Sequence, residues 1–337
     1  RVAVAPLRRA PGGATLTDQP AITRSLRERL RGHRFGDRLA DGAKAALRSY
    51  GVATASRRPP PELLIIGAKR GGTTSLWHYL SQHPGLLAQF PTPNSKGTYF
   101  LSDEWHRGER WWRSHFAHER TRARVGARLG YHPVAGESSP YDLYHPLAPQ
   151  RAAAVAPDAL VVAVLRNPVD RAFSHWKERR RHTETLNFAA AIEAEAERTA
   201  GEEARILADP TYASFPHRHQ SYVDQGRYAP MLRRWFDAFG RDRMLVVTAE
   251  TFYADPQATV DQITDRLGLP RHMVADVTPR NEAPSDPMDG DLRAKLTVEL
   301  AGGIAAVEEL LGITTGWGAS GSPGGSEAGP GAETAPR

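Results

Sequence analysis

The chain has 337 residues, 40% of them hydrophobic, and a formal charge of +6. That is enough apolar content for one large α/β domain, and the positive balance favours anionic partners such as nucleotides, acidic glycans or membrane surfaces. Cysteine is absent, which excludes disulfides and cysteine-ligated zinc or iron–sulfur centres, and no apolar run approaches the roughly 20 residues that span a bilayer.

Residues 1–60 form an arginine-rich arm in which Arg8, Arg9, Arg24, Arg27, Arg29, Arg31 and Arg34 stand close together. Leu26, Leu30, Leu39 and Leu47 among the charges predict one or two helices over residues 22–50. The arm reads as a solvated segment packed on the domain, or as one that recruits an acidic acceptor or a membrane surface by peripheral contact.

The stretch from Pro61 to His83 organises the rest. Leu63, Leu64, Ile65 and Ile66, between Pro61 and Gly67, suit a strand buried on both faces. Gly67, Gly71 and Gly72 then permit a sharp turn and close approach of a ligand, and Thr73, Thr74 and Ser75 stand where a helix running to about Gln82 begins. Backbone amides at such a helix start converge on one point, where the helix dipole adds positive charge. Gly67 and Gly72 have the spacing of a nucleotide-triphosphate loop, but Thr73 occupies the lysine position. The cations lie earlier, at Lys69 and Arg70, so Arg70 leans over the cradle from the turn.

Further along, Trp105, Trp111, Trp112 and Phe116 have helical spacing and read as core or as an acceptor-cleft wall. Residues 159–165 are a second buried strand, followed at once by Arg166 and by a helix with Asn167 as N-cap, Pro168 in first place and Asp170 in the first turn. Ser174 lies two turns into that helix and Glu178 one turn beyond it on the same face. Residues 186–207 read as an exposed helix, and residues 209–220 as a long loop in which His217 and His219 flank Arg218. Leu232, Trp235, Phe236 and Phe239 mark a core-facing helix after Gly226-Arg227-Tyr228. Residues 244–248 are a third buried strand, and Asp255-Pro256 opens a helix carrying Val260, Ile263 and Leu267. From Ala319 the Gly/Ser/Pro-rich composition predicts a disordered tail. No histidine set has metal-ligand spacing, so no metal site is expected.

Alternating strands and helices predict a P-loop-like three-layer fold with a central parallel sheet flanked by helices, ligands lying at the carboxyl edge of the strands. The domain is expected to span residues 61–318.

At this point the residues resemble the sulfotransferases that use 3′-phosphoadenosine 5′-phosphosulfate (PAPS), in particular the branch with the heparan sulfate sulfotransferases and their bacterial relatives. G-A-K-R-G-G-T-T-S-L is similar to that family's 5′-phosphosulfate loop, and R-N-P-V-D-R-A-F-S to its 3′-phosphate motif. G-E-S-S-P-Y-D at Gly136–Asp142, G-R-Y at Gly226–Tyr228 and L-L-G with Trp317 extend the likeness over roughly Pro61 to Trp317. The resemblance implies PAPS as donor, with adenosine 3′,5′-bisphosphate as product. Arg70, Gly71, Gly72, Thr73, Thr74 and Ser75 would hold the sulfonate end, and Arg166 and Ser174 the 3′-phosphate. Arg280 would stand in for the family's Lys-Gly-Arg loop. The family's Golgi members carry a membrane anchor, so the chain is expected to be a soluble cytoplasmic relative. Its expected acceptor is a carbohydrate, a glycolipid or a small molecule, not nucleic acid.

The sequence departs from the family at the general base. Near Lys96 and Gly97 the family has a lysine followed by a glutamate, and neither alignment of Lys96 restores the carboxylate. Sulfuryl transfer needs a group to take the acceptor's proton. The candidates are Glu137 and Glu178, with Lys96 as an electrostatic helper. Two other readings stand beside this one: a P-loop kinase or nucleoside triphosphatase, and a catalytically silent binder of nucleotide or polyanion.

Overall fold

The computed structural model describes residues 34–280 and 287–318. The arginines before residue 34, Asn281 and the expected tail from Ala319 lie outside them. Helix α1 (Arg34–Ala53) leads to strand β1 (Leu63–Gly67), α2 (Thr73–Leu80) and the two-residue β2 (Leu86–Leu87). Then come α3 (Glu109–Arg113), α4 (Glu119–Leu129), β3 (Val134–Ser138), α5 (Ala148–Val155), β4 (Leu160–Leu165) and α6 (Pro168–Arg180). Short helices α7 (Phe188–Glu193), α8 (Glu195–Thr199), α9 (Glu202–Ala208) and α10 (Phe215–His219) precede α11 (Tyr228–Phe239) and β5 (Met244–Thr248). Helices α12 (Ala249–Ala254), α13 (Pro256–Arg266) and α14 (Gly290–Leu311) complete the order.

The five strands form one parallel sheet in the order β2-β3-β1-β4-β5. Successive side chains of a strand face opposite ways, so β1 and β4 feed two separate cores. Leu64, Ile66, Val161, Ala163 and Leu165 pack with α3, α5, α6, α11 and α14 on one face. Leu63, Ile65, Val162 and Val164 pack with Leu76 and Leu80 of α2, Phe252 of α12 and Ile263 of α13 on the other. This is the expected three-layer arrangement. The stripe on α11 is core, with Leu232 and Trp235 fully buried, and Trp112 and Phe116 are equally enclosed. The expected caps are present: Asn167 Oδ1 accepts from the amides of Val169 and Asp170, and Asp255 caps α13.

Three local expectations change. V-A-G-E-S has too few apolar residues to announce itself, yet β3 is buried throughout because both its neighbours are strands, and Glu137 lies on it. The run from Leu186 to Leu207 is three helices, the first two meeting at Ala194 and the third set off by Gly201, whose φ is +73°. Glu193, Glu197 and Glu203 are exposed as expected, but the buried Glu195 accepts the amides of Val223 and Asp224 at 2.7 and 2.8 Å. The cradle helix ends at Leu80, and the expected loop at 209–220 contains α10, capped by Ser214 accepting from the His217 amide.

Candidate active site

Both phosphate-type motifs fall at the carboxyl edge of the sheet, where β1 delivers the glycine turn and the adjacent β4 delivers Arg166. The Ala68 amide bonds the Val164 carbonyl at 2.8 Å and Gly71 bonds Ala68 at 2.8 Å, which folds the turn onto β4. A Cβ on Gly71 would come within 2.2 Å of the Val164 oxygen, so only glycine permits this approach. Gly72 takes φ +110° and hands the chain to α2, whose first amides have no partners within the helix. Thr73 and Ser75 are buried and Thr74 is half-buried.

The cations converge on this edge. Arg70 Nε donates to Ser174 Oγ at 3.0 Å, so the turn and the first half of α6 share one face and the two expected binding ends touch in this state. Burial holds the Arg70 guanidinium below its ordinary pKa, and Arg166 and Arg181 add to that while Glu178 opposes it. Lys96 Nζ donates to Thr74 Oγ1 at 2.9 Å, which brings a residue from the loop after β2 into the cradle. Burial, then Arg70, push the Lys96 amine down to about 8. Beside it Gly97 lies so close to β3 that a Cβ would meet the Ser138 oxygen at 2.3 Å. A glutamate there has no room. Arg280 reaches the same helix through its backbone, its amide donating to Ser75 Oγ at 2.9 Å, while its guanidinium is held by Asp276 and His78.

The two candidate carboxylates have different surroundings. Glu137 is 1% exposed; one oxygen accepts from the Thr98 amide and hydroxyl, at 3.1 and 2.6 Å, and the other from Trp112 Nε1 at 3.0 Å. Burial raises its pKa against those bonds. A carboxyl group enclosed in this way pins the 98–112 segment to β3 and is less open than Glu178. Glu178 keeps 27% of its side chain open. One of its oxygens accepts from Arg179 at 3.3 Å, and the other lies 3.9 Å from Lys69 Nζ. Its charge also acts on Arg70.

Helix α10 covers the far side of the cradle. Arg218 pairs with Asp103 and lies over the Tyr99 ring, 4.2 Å from its centroid. His217 and His219 diverge: His217 Nδ1 meets Tyr141 Oη at 2.7 Å, and His219 Nδ1 lies 3.4 Å from Lys69 Nζ. Among the described residues no His/Cys/Asp/Glu cluster could hold a metal. An apolar cavity of about 440 Å³, walled by Phe173, Trp176, Phe188 and Met288, lies on the next flank of α6. It shares Lys177 with the cationic edge, where Arg166 and Arg70 act on that amine.

Sequence reasoning missed two supports. Arg171 is fully buried and donates to the carbonyls of Lys69 and Tyr222, tying the glycine turn to α6. It stands in the same R-N-P-V-D-R run as Arg166, so its motif position was a usable signal. Tyr253 touches Ser75, Oη to Oγ at 3.2 Å, and flanks Gly72; no local pattern marks it.

Comparison with known proteins agrees with this geometry. The family model described as "Sulfotransferase domain" matches residues 60–281. A bifunctional heparan sulfate N-deacetylase/N-sulfotransferase 4 of Mus musculus is 26% identical over 218 residues, 63% of this chain and 23% of that protein. The corresponding protein 1 of Caenorhabditis elegans is 27% identical over 217 residues, with 64% and 23% covered. The chain therefore spans under a quarter of the length of these curated relatives. A solved sulfotransferase from Alicyclobacillus acidocaldarius superposes with a TM-score of 0.56 at 30% identity, covering 77% of this chain and 98% of its own. No helix of the described residues is long and apolar enough to cross a membrane.

Proposed function

Since this chain belongs to the sulfotransferase family, we propose that it takes its sulfuryl group from PAPS and passes it to a hydroxyl or amine, with Glu178 as general base. The observation that carries this reading is the Arg70–Ser174 contact at 3.0 Å, which unites the two anion-binding motifs on one face with Glu178 beside them. The donor fits the residues present: a glycine turn, folded tightly onto β4, that leads into the first amides of α2, and cations from three separate segments. When bound, PAPS supplies an SO3 group whose bond to a phosphate oxygen breaks as its bond to the acceptor forms.

The chain's own residues do the rest. The α2 amides, Thr73, Thr74 and Lys96 hold the sulfonate end and stabilise the charge left on the departing phosphate. Arg166 and Ser174 orient the 3′-phosphate, and Arg70 moves from Ser174 to the cradle as the site fills. Glu178 takes the acceptor's proton, the part that the family glutamate plays elsewhere. The curated relatives named for heparan sulfate N-sulfation make an amino sugar the first acceptor to test, followed by other glycans, glycolipids and small alcohols. A cytoplasmic location belongs to this proposal.

The test measures adenosine 3′,5′-bisphosphate binding by calorimetry, and turnover with labelled PAPS on an acceptor panel. Arg166→Ala should weaken bisphosphate binding by about 10–100-fold. Glu178→Gln should bind it as the parent does and lose turnover by about 100-fold or more. Full turnover in Glu178→Gln would remove Glu178 from this role.

A further inference from the structure

The residue next to Arg70 is a second cation in the same turn, and its side chain goes the other way. The Lys69 side chain is 15% exposed, and its Nζ has three neighbours: the Arg218 carbonyl oxygen at 3.4 Å, His219 Nδ1 at 3.4 Å and Glu178 Oε2 at 3.9 Å. A neutral amine has two N–H bonds and one lone pair. The Arg218 carbonyl accepts one N–H bond, and with the His219 tautomer that carries its proton on Nε2 the imidazole Nδ1 accepts the other, which leaves the lone pair for the third neighbour, Glu178. That carboxylate oxygen is itself enclosed and has no hydrogen-bond donor among the described residues. A side-chain shift of about 1 Å would close the gap to a hydrogen bond.

We propose that Lys69 is the proton acceptor behind Glu178: after each transfer it takes the proton that Glu178 removed from the acceptor, restoring the carboxylate. This rests on the reading of Glu178 as base. In the step the acceptor's proton is received on Oε1, the carboxyl group turns about its Cγ–Cδ bond to present that O–H to Nζ, the O–H bond breaks and an N–H bond forms; the electron pair comes from the amine, and the products are a carboxylate and an ammonium. The new ammonium then loses its proton to solvent. His219 and the Arg218 carbonyl are positioning groups that aim the amine.

The surroundings suit this role. Burial, with Arg179, Arg218 and Arg171 adding to it and Glu178 opposing, brings the Lys69 amine down to about 7. The charged and titratable groups facing it are Arg171, His175, Glu178 and Arg179 on α6, and Arg218 and His219 on α10. Burial and Lys69 keep His219 low, at about 3, and burial keeps His175 well below its ordinary value. Both imidazoles are therefore neutral wherever Lys69 titrates, so the acid limb near 7 belongs to the lysine, apart from the Lys96 amine at about 8.

The experiment compares the pH dependence of kcat in the parent, Lys69→Met, Lys69→Arg and Glu178→Gln, with bisphosphate affinity measured on each. In the parent, kcat should fall about tenfold per pH unit below about 7, where Lys69 is already protonated. Lys69→Met should bind bisphosphate within about threefold of the parent, lose about 10–100-fold in kcat at neutral pH and lose that acid limb. Lys69→Arg should be slow and flat across the same range. Ethylamine should restore part of the rate to Lys69→Ala, which a purely structural lysine would not allow. An unchanged acid limb in Lys69→Met overturns the proposal, as does parental kcat in that variant. If Lys69→Met binds bisphosphate poorly, failure of amine rescue in Lys69→Ala overturns it instead. Parental turnover in Glu178→Gln sinks the base assignment itself, whereas a dead Glu178→Gln beside an unaltered Lys69→Met sinks only the role of Lys69.

Discussion

The cradle and the α10 cover meet at Lys69, yet they are built by opposite means. The cradle is mostly backbone: Gly71 against the Val164 carbonyl, amides at the start of α2, and Arg171 holding the Lys69 carbonyl. The α10 side is held by side chains from distant segments, such as Arg218 on Asp103 and His217 on Tyr141. Backbone geometry resists small changes of shape, whereas paired side chains can be exchanged one at a time. On the function proposed above, the donor belongs to the first region and choice of acceptor to the second.

The comparison can be broken most severely at Gly71. Gly71→Ala forces a methyl group against a strand carbonyl, so bisphosphate affinity should drop by more than about 100-fold and the melting temperature by several degrees. Unchanged calorimetry on this variant would mean that the cradle is not the donor site. A smaller effect sharpens the electrostatics. The Lys96 amine, brought down to about 8 by burial and Arg70, is charged below that pH and loses its proton above it. Bisphosphate affinity should therefore fall as pH rises through 8, by at most about tenfold per unit, and Lys96→Met should flatten the curve. The unfolded chain keeps this proton to higher pH, so the lysine's contribution to ligand-free stability increases over the same interval. The smallest effect belongs to the α10 side. Asp103→Asn should change the acceptor KM by about threefold to tenfold and leave bisphosphate affinity alone; a matching loss of bisphosphate affinity would erase the distinction between the two regions.

How much of this was legible in the chain follows the same division. The strand at Leu63–Gly67, the glycine turn, and the cap and helix after Arg166 are written in short runs, because turns, caps and buried strands depend on neighbours a few residues away. β3 was missed because V-A-G-E-S is buried by its position between two strands rather than by its own composition. Glu195 looked solvated with the other acids of 186–207 because nothing in its run reveals that it caps the amides of Val223 and Asp224.

The sequence by itself determined the donor edge: which turn, which helix start, which arginine after which strand, and thereby the family. Only the tertiary structure separated the surroundings of the two carboxylates. Glu137 and Glu178 are indistinguishable in one dimension. Folding gives Glu137 to Thr98 and Trp112, 39 and 25 residues away in the chain, and gives Glu178 to Lys69 and the field of Arg70. The fate of an ionisable group depends on desolvation and on the charges around it, and those are properties of the packed molecule rather than of any run of residues.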